Sequence, residues 1–371
     1  MEQLTYGIIT HYDVHNHGAV LQLNALVKVL REEFGIKAQA LQFDKNYDFM
    51  GRELKAKYEL SVRSASIYAK YLRKYGVRLV AFNVKKKRLL DGFKARYGLI
   101  GPYYTACGTL DGIIVGSDEV FALHTGPTPV FFGHACPSDK VFAYGGCFGP
   151  TTLAEIERLH CRPFVASGLS AMRGLGMRDR NSREITEALT GRTAEAVCDP
   201  VILYGYIREI AGQQPPQLPP YLVVYAYDKK MNDPKEVARI RTFAQKKGLK
   251  IVSPGFYHRW ADYNVNADPV EVLRYFKHAA CVVTDTFHGA VMSLITGREL
   301  AVKLRDNANK LLNLLEEYSL AHRVISDGWN LEEIFSEPVD YGHVNAEISR
   351  RRADSIDYLR RMINPQTVTG Q

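Results

Sequence analysis

The 371-residue sequence predicts an α/β protein of two doubly wound domains, and three observations predict it. Short β-branched runs alternate with amphipathic stretches along the whole chain, the pattern that yields parallel sheets covered by helices on both faces. The length exceeds what a single hydrophobic core usually fills, roughly 250 to 300 residues. Residues 212–220 hold four prolines and three glutamines, a stiff polar segment that can join neither core and marks a domain boundary.

The elements follow in order. Leu4 to Thr10 reads as a strand, Gly18 to Glu33 as a helix with Leu21, Ala25, Leu26 and Val29 at helical spacing, and Ile36 to Phe43 as a second strand. Further strands are expected at Gly112 to Val115, Val141 to Tyr144, Gly174 to Met177 and Ala194 to Cys198, with a helix opened by Asn181 after the third of them. Beyond the proline-rich break, Tyr221 to Tyr227 is an apolar strand and Pro234 to Lys247 a helix. Lys250 to Ser253 is again a strand, and Pro269 to His278 a helix capped by Asp268. The alternation runs on through Cys281 to Thr284, Gly289 to Thr296, Leu300 to Leu304 and Asn309 to Tyr318. The domains are thus expected at 1–211 and 221–340, with a helix in 341–371 placed to cross back onto the first domain.

Composition excludes several classes. An apolar fraction of 46% and a charged fraction of 24% are those of a globular protein, not a disordered or fibrous one. Met1 to Thr10 has no basic leader followed by a long apolar stretch, so a cytoplasmic location is expected. Six cysteines without a Cys-x-x-Cys pair argue against a disulfide framework or a thiolate zinc site. The net charge of +8 is concentrated: Arg52 to Arg96 carries 14 Lys or Arg against 3 acidic residues, a balance of +11. Such a segment, with Tyr68, Tyr71 and Tyr75 among its cations, suits anionic lipid headgroups or nucleic acid; the plainer alternative is a solvated helical face.

Four stretches carry chemistry. In Cys281-Val282-Val283-Thr284-Asp285-Thr286-Phe287-His288-Gly289 a buried strand ends in polar residues and a histidine before a helix, where open α/β sheets bind ligands. Gly289 would let a ligand approach the backbone, and Asp285 would orient the imidazole or hold the loop. In Met177-Arg178-Asp179 a guanidinium beside a helix N-terminus suits a phosphate or carboxylate; the plainer alternative is a pair with Asp179 or Asp199. Gly116-Ser117-Asp118 places a carboxylate where it can accept a proton from a sugar hydroxyl. In Asn16-His17-Gly18, Gly18 permits a tight turn and Asn16 offers an amide to a hydroxylated ligand. The alternation His11, Asp13, His15, His17 is set aside as a metal site because Gly18 reads as a turn. No Gly-x-Gly-x-x-Gly or Gly-Lys-Ser/Thr loop follows a strand, which weighs against dinucleotides and nucleoside triphosphates.

In this order the stretches resemble the polysaccharide pyruvyltransferase family. Asn16 to Gln22 is similar to its Asn-Tyr-Gly-Ala-x-Leu-Gln opening, Gly116-Ser117-Asp118 to its Gly-Ser-Asp loop, and Ala143-Tyr144 to Phe148-Gly149 to its Ser-Tyr-Ala-x-Ser-Phe-Gly run. Met177-Arg178-Asp179, Cys198-Asp199-Pro200, Thr284 to Gly289 and Asn309 to Leu312 match four further segments, with His17, Thr286 and Lys310 replacing a tyrosine, a serine and an arginine.

The resemblance implies two Rossmann-like domains facing a central cleft, similar to the GT-B glycosyltransferase architecture. It also implies phosphoenolpyruvate as co-substrate, without a further cofactor or metal. The expected reaction transfers pyruvate as a ketal to a sugar diol, the 4,6-hydroxyls of galactose or a related hexose, during bacterial exopolysaccharide or capsule biosynthesis. His288 and Asp118 are the expected catalytic residues. Arg178, Thr284, Asp285, Gly289, Lys303, Arg305 and Lys310 are expected on the donor, and Asn16, His17, Gly18, Ser117 and Asp118 on the acceptor. The expected partners are a lipid-linked or nucleotide-linked oligosaccharide and, through residues 52–96, an anionic membrane surface, with no nucleic acid. A glycosyltransferase using a sugar nucleotide, or an idle glycan-assembly subunit, would fit the same architecture.

Overall fold

The computed structural model describes residues 3–44, 76–125, 128–228, 230–305, 308–326 and 328–364. Two parallel sheets organise them. The first holds β1 (Thr5–Ile9), β2 (Lys37–Gln42), β3 (Ile100–Tyr103), β4 (Gly112–Val115), β5 (Val141–Gly146), β6 (Leu175–Met177) and β7 (Glu195–Ala196), in the order β3-β2-β1-β4-β5-β6-β7. The second holds β8 (Tyr221–Tyr225), β9 (Lys250–Pro254), β10 (Tyr263–Val265), β11 (Val282–Thr284) and β12 (Leu300–Val302), in the order β10-β9-β8-β11-β12.

The central strands β4 and β8 are apolar and buried at every position, as strands covered on both faces must be. β3 and β10 lie at sheet edges, and sequence reading misses them. Ile100-Gly101-Pro102-Tyr103 and Tyr263-Asn264-Val265 have too little apolar content to signal a strand, and only pairing with β2 and β9 defines them.

Each sheet packs one face outward against its own helices. The outer cluster of the first sheet includes Ile113, Val115, Phe121, Phe132 and Met177; that of the second includes Leu222, Val224, Ile240 and Val283. The inner faces share one core, in which Ile8, Val20, Leu26 and Ile114 join Val223, Phe276, Val282 and Val291. The helix His17–Phe34 forms the middle of this junction, with twelve of its residues buried.

The chain crosses between the sheets twice. The first crossing follows β7 through the short helices Pro200–Tyr204 and Ile207–Ala211 and the polar segment 212–220. The second precedes the helix Tyr341–Ile363. Its start is tied to the second sheet's side by the Tyr341 hydroxyl on the Arg298 carbonyl and by the Val339 N–H on Glu299. Its end docks on the first sheet, where Tyr358 donates to the Ala143 carbonyl at 2.7 Å and Ser355 accepts from the Cys198 N–H at 2.9 Å.

Two helix starts differ from expectation. Asp179, not a residue beyond it, caps the helix Arg180–Thr190, because its carboxylate takes both the N–H and the hydroxyl of Ser182. The helix Phe287–Thr296 begins two residues earlier than its apolar periodicity suggests, capped by Thr286 on the Gly289 N–H at 2.9 Å. Of the basic segment Arg52 to Arg96, residues 52–75 lie outside the described residues. The rest belongs to the helix Val77–Arg96, where Lys86 and Lys94 are buried. There Lys86 lies 4.8 Å over the Phe256 ring and Lys94 pairs with Asp91 at 3.0 Å, so these two serve the fold instead of facing a surface.

Candidate active site

Strand order reverses twice: β1 lies between β2 and β4, and β8 between β9 and β11. At such switch points the loops leaving adjacent strands part and open a crevice beyond the strand ends. The loops after β1, β4, β8 and β11 carry Asn16, Asp118 and Glu119, Tyr227 and Lys230, and Asp285 and Thr286, and these, with Phe287 and His288 just beyond the last, line one cleft of about 240 Å³. Phe256, Arg305 and Lys310 complete its wall. The two switch points therefore face each other.

His288 stands in the first turn of the helix Phe287–Thr296, not in the loop before it. Its Nε2 lies 3.6 Å from Asp199 Oδ2 and has no hydrogen-bond partner among the described residues. The imidazole is held from the opposite domain by Gly18: a Cβ at position 18 would sit 2.3 Å from His288 Cγ. Gly18 is helical, and what it provides is close approach between two helices, not the expected tight turn. Asn16 caps the same helix by accepting from the Gly18 N–H at 2.9 Å, and its amide donates across the cleft to the Tyr227 hydroxyl at 3.1 Å.

Arg178 is buried behind the cleft. It donates to Asp199 at 2.8 Å, to Asp118 at 3.4 Å and to the Cys147 sulfur at 3.2 Å, and its guanidinium lies 4.3 Å over the Phe287 ring. It lines a much smaller cavity with Asp199, Phe287 and Tyr318. The pair with Asp199 foreseen as an alternative is present, but deeply buried and not at the surface. Burial alone would raise both carboxyls. Lys310 and Arg178 instead hold Asp118 well below the usual carboxylate range, and His288 and Arg178 hold Asp199 below it. Burial pushes the Cys147 thiol up to about 12, so it is no nucleophile.

Lys310 donates to Glu119 at 2.6 Å and lies 4.0 Å from Asp118, bridging the second domain to the first. Arg305 grips Glu236 with two hydrogen bonds of 2.8 and 2.9 Å and Asp285 with one of 3.1 Å. Asp285 is the exception among these acids: burial raises its pKa despite Arg305, and its Oδ1 has no hydrogen-bond partner among the described residues.

Besides Arg178 and Gly18, five expected contact residues lie outside the cleft lining. His17 is buried and ties the domains together, its Nε2–H donating to the Ala267 carbonyl at 2.9 Å. The Ser117 hydroxyl turns into the sheet and donates to the Gly145 carbonyl at 3.0 Å. The Thr284 hydroxyl is spent on the Tyr225 carbonyl at 2.6 Å. Gly289 gives its N–H to Thr286, and a Cβ there would fall 2.0 Å from Thr284 Oγ1, so it serves helix packing. Lys303 extends β12 outside the cleft lining. Sequence reasoning in turn missed Glu119, Tyr227, Lys230, Phe256 and Phe287 as cleft residues. The signal for Tyr227 and Lys230 was their position after β8, the strand that begins the second domain. Among the described residues no group of three or more His, Cys, Asp or Glu is arranged to hold a metal ion.

A cleft between two parallel sheets is walled by carboxylates and cations, with a histidine after the second sheet's β11 pressed on a helix after the first sheet's β1. The chain belongs to the polysaccharide pyruvyl transferase family, whose pattern matches residues 16–303, and it is a transferase. No curated relative matches it. Among solved structures, a putative UDP-N-acetylglucosamine 2-epimerase from Listeria monocytogenes is similar in fold, with a TM-score of 0.52 and 11% identity over 99% of this chain and 98% of that one. MnaA of S. aureus with UDP has a TM-score of 0.49 and 11% identity over 100% and 98% of the two chains. The fold is GT-B-like. Among the described residues no helix is long and apolar enough to cross a membrane.

Proposed function

We propose that the protein transfers the pyruvyl group of phosphoenolpyruvate to two hydroxyls of a hexose, the 4,6-diol of galactose or a related sugar, forming a ketal during bacterial surface-polysaccharide assembly. The observation that carries this reading is His288: a partnerless Nε2 lines the cleft of a pyruvyl transferase family member, where cations and carboxylates alternate. Ketal formation requires a proton on the methylene carbon of the donor, removal of protons from two sugar hydroxyls, and stabilisation of the departing phosphate. His288 supplies acid–base catalysis. Asp118, kept ionised by Lys310 and Arg178, accepts a hydrogen bond from an acceptor hydroxyl, and Asn16 helps to hold the sugar. Lys230, Arg305 and Lys310 meet the donor's phosphate and carboxylate.

Arg178 stands behind this line, fixing Asp118 and Asp199. The acceptor is carried on a lipid or nucleotide, and the outward basic residues of the helix Val77–Arg96, Lys85 and Arg88 among them, bring the enzyme to an anionic membrane surface.

The test is phosphate release from phosphoenolpyruvate with a panel of nitrophenyl hexosides and lipid-linked oligosaccharides, with the product checked by mass. Release with the mass gain of a ketal is expected. No release, together with turnover of a sugar nucleotide, would overturn the reading in favour of glycosyl transfer.

A further inference from the structure

Ketal formation needs two proton carriers, and of the three cleft side chains with a polar atom that makes no hydrogen bond among the described residues, Tyr225, Asp285 and His288, the carboxyl and the imidazole are suited to carry them. We propose that Asp285 is a second catalytic residue, the acid that protonates the methylene carbon of the donor, leaving His288 to handle the first acceptor hydroxyl and the phosphate. This rests on the pyruvyl-transfer reading above.

The geometry gives Asp285 the properties of an acid. It follows β11 at the switch point and lines the cleft with His288. Its side chain is 1% exposed. Oδ2 is anchored by Arg305 Nε, which is itself held by Glu236, so the carboxyl cannot rotate freely. Oδ1 is left without a hydrogen-bond partner among the described residues. The charged groups that bear on it are Arg305, Glu236 and Lys230; burial, reinforced by Glu236, outweighs Arg305 and Lys230 and raises its pKa. Asp118, on the other wall, is pushed the opposite way. Two carboxyls in one site driven apart in this manner divide the work of acid and anion.

The protons balance. The Asp285 carboxyl gives its proton to the methylene carbon as the C=C bond is consumed, and the first sugar oxygen bonds to the adjacent carbon while its proton passes to His288 Nε2. The C–O bond to phosphate breaks and phosphate takes that proton. The second hydroxyl closes the ring on the same carbon and returns its proton to Asp285, which ends as it began.

The test compares Asp285→Asn with the wild type, using phosphoenolpyruvate and the hexoside that turns over in the panel above. We expect kcat to fall by roughly 10² to 10⁴, calorimetric affinity for phosphoenolpyruvate and the melting temperature to be kept, and the alkaline loss of wild-type kcat to vanish from the residual rate. Retained kcat, an unchanged pH profile, or a loss matched by lost donor affinity would overturn the proposal and leave Asp285 as a holder of Arg305. Should the amide variant fail to fold, Asp285→Glu decides: a displaced alkaline limb supports the role and an unmoved limb removes it. A wild type that releases no phosphate from phosphoenolpyruvate refutes the underlying reaction, an outcome distinct from an active wild type with an indifferent variant.

Discussion

The site is assembled from side chains whose neighbours have already consumed most of their hydrogen-bonding capacity, and this makes single substitutions informative. His288→Ala removes an imidazole 3.6 Å from the buried Asp199 carboxylate, which keeps Arg178 and the Val201 N–H as hydrogen-bond partners, so we expect a folded protein with turnover lowered by roughly 10² to 10⁴; near-normal turnover would take His288 out of the chemistry. Gly18→Ala should act on the same side chain from the other domain, since its Cβ would meet the imidazole at 2.3 Å. The expected result is a large fall in kcat with an unchanged circular dichroism spectrum, and full activity would show that the imidazole position is not critical. Arg178→Lys keeps a charge but loses the fork that spans Asp199 and Asp118. Thermal unfolding should register this as about 1–3 kcal/mol, the cost of buried acceptors left short of a donor. An unchanged melting temperature with a raised KM for phosphoenolpyruvate would instead put the guanidinium on the donor.

Elements place these side chains, and their legibility in sequence was uneven for physical reasons. Buried parallel strands such as β4 and β8 announce themselves because both faces must be apolar. The helix start behind Asp268 was likewise readable, because an aspartate followed by proline suits an N-cap; the structure adds Glu271, whose side chain answers the cap in a capping box. The start at Thr286 was not, since an apolar turn containing Phe287 and His288 resembles the end of the preceding strand. Replacing this cap, Thr286→Ala, should cost about 1 kcal/mol and let the first turn fray. Because that turn holds His288, turnover should drop more than stability, a comparison of kcat with melting temperature. Asn16, Asp118, Asp285, His288, Arg305 and Lys310 line the cleft, yet orientation at the other motif residues depended on partners remote in sequence. Ser117 and Thr284 carry the right chemistry but spend it on carbonyls of neighbouring strands. Arg178 finds three partners that only the fold brings near.

At the scale of the whole molecule, the junction between the domains is itself titratable. Burial takes the His17 pKa from 6.5 down to about 4, although its hydrogen bond to Ala267 opposes this. A folded pKa below the unfolded one means that stability from the neutral ring is fully present above pH 6.5 and is lost as pH falls from there towards 4, on the order of 3 kcal/mol in total. Urea unfolding at pH 7 and pH 5 should show this loss, and His17→Asn should flatten it; equal slopes in both proteins would place the acid sensitivity elsewhere. The two crossings of the chain between the sheets, one through 200–220 and one leading into the helix Tyr341–Ile363, carry a mechanical consequence. A body suspended from another at a single point can swivel in any direction, whereas suspension at two points leaves one easy rotation, about the line that joins them. Any opening of the cleft would be the swing of a door on a pair of hinges, a path that parts Gly18 from His288 and brings them back into the same register.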